Sequence, residues 1–132
     1  MNLPTSAAVV FDHTALLALG SGNRMASRLV VAAHGQTGRH VYAPALCLAA
    51  AVAERPALAD HVGGLPAAEV LDLDCAAACS VGHLISSRTS WQDAHAPDAA
   101  RPSAEWPTGL PIVTTTPESY RGLGIATIPL NR

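Results

Sequence analysis

Two places in this 132-residue chain put polar side chains directly after an apolar run. The stretch from Ser6 to Phe11 stops at Asp12, with His13 and Thr14 following, and the run from Pro111 ends in the hydroxyls of Thr114, Thr115 and Thr116. In an open parallel sheet the loops beyond the carboxyl ends of the strands converge, and functional groups gather there, which selects Asp12 and the threonine run. Structural readings stand beside the functional ones. Asp12 can instead cap the helix that follows it, and Asp93 can be a first-turn residue favoured by the helix dipole. His13 beside Asp12 and His95 beside Asp93 invite a catalytic or metal reading, but consecutive residues on a helix do not face each other. Cys75, Cys79 and His83 follow at four-residue spacing, which suits a soft metal or, more simply, the small core residues of an apolar helix face. Trp91 and Trp106 can stack a base or anchor a loop. Arg24 and Arg28, one turn apart, read as a solvated face or a contact to phosphate or a partner. Asp72 and Asp74 cap and solvate the end of a strand.

The elements that must hold these groups follow from apolar patterning. Continuous apolar runs predict strands at Ala7–Phe11, His40–Ala43, Glu69–Leu73 and Ile112–Thr115, with a last one at Ile125–Ile128. Between them lie helix-length segments: Ala15–Leu19, Met25–His34, a proline-started helix from Pro44 to Glu54, a short one at Leu58–Val62, and Cys75–Ile85 capped by Asp74. Ser90 can cap another helix from Trp91. Four prolines between Pro97 and Pro111 predict a long loop, and Pro117 opens a short helix. Strands alternating with helices predict an α/β fold, a three-layer α/β/α sandwich around a mainly parallel sheet, in one domain over residues 1–132.

Composition narrows the function classes. Hydrophobic residues make up 49% and charged residues 14%, enough apolar material for a packed core and too little charge for a disordered tail. All 8 basic residues are Arg and the net charge is −2, so no broad basic field awaits nucleic acid. The 3 cysteines, Cys47, Cys75 and Cys79, form no C-x-x-C pair, so neither a disulfide framework nor a zinc ribbon is expected, and a reducing cytoplasm fits. No basic n-region opens the chain, and the apolar stretch Val41–Ala53 is broken by Pro44 and too short for a bilayer, so no membrane partner is expected.

The opening VVFDHTALLAL, with an aspartate ending a strand, a hydroxyl two residues on and a leucine-rich helix, resembles the start of PIN domains, the fold of many metal-dependent ribonucleases. VYAPALCLAAAVAE is similar to the second strand and proline-started helix of that family, WQDAHA to its helix carrying a third-site aspartate, and PIVTTTPESYRGLGI to its terminal strand, turn and helix. The resemblance implies a carboxylate cluster that holds Mg²⁺ or Mn²⁺, activates water and stabilises charge on a phosphodiester. Asp12 matches the first acidic position and Asp93 the third. The second falls near Ala49 or Ala50, and Glu54 lies one helical turn further, about 5.4 Å along the axis. At the fourth position, Thr-x-Asp in the family, the chain reads Thr114-Thr115-Thr116. Two carboxylates remain where three or four are expected, and charge count largely sets affinity for hard ions. The expectation is a PIN-like domain with a degraded metal site: a regulatory module binding RNA, a protein partner or a second copy, with Thr14, Thr114, Thr116 and Glu54 as binding residues. The alternative is a weak Mg²⁺- or Mn²⁺-dependent ribonuclease, such as the toxin of a toxin–antitoxin pair, using Asp12, Asp93 and a repositioned Glu54. Asp12, Asp93 and Thr116 should then converge on one pocket.

Overall fold

The computed structural model describes residues 8–36, 38–66 and 68–131. Five strands, β1 (Ala8–Phe11), β2 (His40–Pro44), β3 (Ala68–Leu71), β4 (Ile112–Thr114) and β5 (Thr127–Pro129), form one sheet in the order β3-β2-β1-β4-β5. Every neighbouring pair is parallel. The register pairs Val10 with Tyr42 on one side and with Ile112 on the other. Central β1 is buried along its whole length, which is why its sequence is a continuous apolar run: a parallel strand covered on both faces has no solvent side to mark. Edge strand β3 is only half covered, with Val70 46% exposed.

The helices α1 (His13–Gly20), α2 (Arg24–Gly35), α3 (Ala45–Glu54), α4 (Leu58–Gly63), α5 (Cys75–Ser86) and α6 (His95–Ala100) fill the crossovers, making an α/β/α sandwich. Right-handed crossovers that run in opposite directions along a sheet put their helices on opposite faces. The chain moves outward from β1 to β2 and β3, then returns past β1 to β4 and continues to β5. Strands β1 and β4 are therefore neighbours whose connections leave in opposite directions, and a crevice opens beyond their carboxyl ends. Among the described residues, no helix is long and apolar enough to cross a membrane.

Several boundaries differ from the sequence expectation, each for a physical reason. Ala7 lies outside the described residues. The segment from Pro97 is not loop throughout: after one 3-10 turn at Trp91–Asp93, α6 runs from His95 to Ala100. Pro97 is its third residue, where the first-turn N–H has no intrahelical acceptor to lose. Buried Ala96, Pro97 and Ala100 lay this helix across β1, β2 and β4. The last strand sits at Thr127–Pro129 instead of Ile125–Ile128, and Pro129 is tolerated because β5 is an edge strand. Strand β3 ends at Leu71 and β2 runs on to Pro44, which is also the N-cap of α3.

Candidate functional site

Asp12 follows β1 and caps α1, its Oδ1 accepting the Ala15 N–H at 2.9 Å. The same oxygen accepts the Thr14 hydroxyl at 2.7 Å, and Oδ2 accepts the Tyr120 hydroxyl at 2.7 Å. The residue has no accessible surface. Burial and the neighbouring Asp12 charge both push the Tyr120 phenol far up, so it remains a proton donor.

The threonines continue this arrangement, and proton counting gives it a direction. Each hydroxyl carries one hydrogen. The hydrogen of Thr14 goes to Asp12, so in its 3.1 Å contact with Thr114 it must accept, as it does from the Thr115 N–H at 2.9 Å. Thr114 then accepts from the Thr116 hydroxyl at 3.3 Å and from the Thr116 N–H at 3.0 Å, and Thr116 accepts from Ser119 at 3.3 Å. Ser119, Thr116, Thr114 and Thr14 thus all donate toward one buried carboxylate, and each bond polarises the next. The relay fastens the end of β1 to the end of β4.

Asp93 approaches from another side. Its Oδ1 is 3.7 Å from His13 Nδ1, and both atoms are buried without a hydrogen-bond partner. Burial raises the Asp93 pKa, His13 lowers it and Asp12 raises it, so the two aspartates are within electrostatic reach. Cys47 is fully buried, and its thiol is pushed up chiefly by burial and next by Asp12, which keeps it protonated. His95 has a structural partner: its buried ring accepts the Leu46 N–H through Nδ1 at 3.2 Å, supplying the cap that Pro44 cannot give α3. Burial lowers its pKa, as suits an imidazole that must keep a free lone pair.

A cleft of about 560 Å³ opens beside the relay. Glu54, His13, Thr14 and Thr116 line it together, with Leu17 and Ala18 as its apolar wall. Asp12 and Asp93 do not reach this cleft. Predicted residues therefore divide: Asp12, Thr14, Thr114 and Thr116 share one network, Glu54 shares the cleft with Thr14 and Thr116, and Asp93 lies outside both, 3.7 Å from His13.

These groups do not fit a hard divalent cation. Asp12 is sealed under three donors, buried Ala50 offers no oxygen from its side chain, and Thr116 is engaged in the relay. Among the described residues, no three His, Cys, Asp or Glu side chains are grouped to hold a metal ion. Cys75 and Cys79 are exposed, which corrects their reading as core residues: α5 buries Ala77 and Val81 instead. Trp106 anchors its loop, packing edge-on to His40 and Tyr42 at centroid distances of 6.0 and 6.4 Å. Trp91 is 45% exposed. Asp74 caps α5 by accepting the Ala77 N–H at 2.8 Å.

Tyr120, Ser119, His95 as a cap and the approach of His13 to Asp93 are not signalled by local sequence patterns. Only Tyr120 left a trace, as a lone aromatic with a polar tip in the turn after β4. No protein-family model matches this chain, and no curated protein does.

Proposed function

We propose that this protein is a PIN-like domain whose acidic centre has become a structural hydrogen-bond network, and that it works as a non-catalytic binding module. The state of Asp12 carries the reading. A ligand to Mg²⁺ needs a lone pair directed at open space, and this carboxylate is enclosed by Thr14, Ala15 and Tyr120. Binding then falls to the adjacent cleft, whose walls offer hydroxyls, amides, the Glu54 carboxylate and an apolar patch. Glu54 and His13 are the ionisable side chains on its walls, with Arg55 bonded to Ser21 and Leu17 at its edge, and such a mixed-charge cleft without a basic field suits a protein segment better than RNA. The weak-ribonuclease reading draws on Glu54, which shares the cleft with His13 and Thr116.

A fluorescent RNA cleavage assay in millimolar Mn²⁺ separates the two readings. The expected outcome is cleavage no faster than in EDTA. Metal-dependent cleavage by the parent that disappears in Asp12→Asn would establish the ribonuclease instead.

A further inference from the structure

A cavity of about 800 Å³ is at the opposite end of the sheet from the relay, beyond the amino ends of β4 and β5. One face of α5 (Ala76, Ser80, His83, Leu84) forms one wall, and the loop after α6 and the segment before β5 form the others. Its size falls within the roughly 300–1,000 Å³ typical of small-molecule sites.

Two properties set the ligand chemistry. Leu84, Leu123 and Ile125 give the lining its apolar part, while the ionisable side chains on it are His83 and Arg101, the Asp98 carboxylate reaching Arg101 from outside the lining. That asymmetry stands out in a chain of net charge −2. Arg101 is held by Asp98 through one long contact of 3.5 Å, and a guanidinium has five N–H donors, so donors remain for a ligand. The cavity is also preformed. Leu110 donates its N–H to Ala100 O at 2.9 Å, and Gly109 sits at φ +78° with its α-carbon so close that a Cβ would come 2.6 Å from that same oxygen. Pro97, Pro102 and Pro111 stiffen the same wall. A rigid wall loses little entropy on binding.

We propose that this cavity is a binding site for a small amphiphilic anion, an aryl or alkyl carboxylate or sulfonate, whose apolar body lies among Leu84, Leu123 and Ile125 and whose charged group meets Arg101 and His83. The site is independent of the relay and of the cleft beside Asp12.

Anilinonaphthalene sulfonate and its uncharged relative N-phenylnaphthylamine are suitable probes, titrated against the full chain by fluorescence and by amide NMR shift mapping. The sulfonate should bind at one saturable site, shifting amides of α5 and of the loop after Ala100, about tenfold tighter than the neutral probe, the worth of one charge-assisted hydrogen bond. Arg101→Gln should remove that preference while leaving the neutral probe's affinity unchanged. Ala76→Trp, at an exposed helix position lining the cavity, should abolish binding of both. Equal affinity for the two probes in the parent, shifts confined to other surfaces, or no saturable binding would overturn the proposal.

Discussion

The two ends of the parallel sheet are built on opposite plans. Beyond the carboxyl ends of β1 and β4, polar side chains crowd together and satisfy one another, leaving Asp12 without accessible surface. At the amino ends of β4 and β5, the walls are mostly apolar and the space between them is open. The first end has the residues that suggest chemistry and has turned them inward as fasteners. The second has little that looks catalytic, yet holds the larger volume, with Arg101 at its rim in one long ion pair to Asp98. A motif identifies side chains, whereas availability depends on whether their donors and acceptors are already engaged.

This contrast breaks most readily at Asp12. Asp12→Ala strips the acceptor from two hydroxyls and a helix-cap N–H in a buried setting, and should lower unfolding free energy by about 3–5 kcal/mol in urea denaturation. A loss below about 1 kcal/mol would mean that the network contributes little. Tyr120→Phe removes one donor to a buried carboxylate and should lower stability by about 1.5–3 kcal/mol in the same experiment. His95 gives a pH test. Its folded-state pKa lies below the ordinary 6.5, so the unfolded chain binds the proton more strongly. Its contribution is complete above pH 6.5 and declines as pH falls through that value, because protonation destroys the acceptor for Leu46 N–H. His95→Gln should flatten the slope of stability against pH in that window, and an unchanged slope would contradict the cap. The smallest effects belong to the open end: Arg101→Gln should change stability by less than about 0.5 kcal/mol, since its side chain is 63% exposed and its ion pair long. A large loss there would make that end as structural as the other.

The sequence made the frame legible where one physical signal dominated. Buried parallel strands appear as unbroken apolar runs, so β1, β2 and β4 were found close to their observed limits. A helix from Trp91 was expected, but its continuation through α6 was hidden because Pro97 reads as a breaker and only its first-turn position makes it harmless. At the site, Asp12, Thr14, Thr114 and Thr116 were legible because each sits at or just past a strand end. Tyr120 and His95 were not, because their partners are 108 and 49 residues away, and local spacing carries no record of such pairings. Exposure of Cys75 and Cys79 was equally hidden: α5 is apolar nearly all round, so its sequence does not say which face packs.

Thermal unfolding of the parent and Asp12→Asn in EDTA and in millimolar Mn²⁺ decides most directly whether Asp12 is a fastener or a metal ligand. A ligand that binds only the folded state raises the melting temperature by mass action. With Asp12 as a fastener, Asp12→Asn melts well below the parent in both buffers, and Mn²⁺ shifts neither protein. A Mn²⁺-induced rise in the parent that is absent in Asp12→Asn would contradict that role.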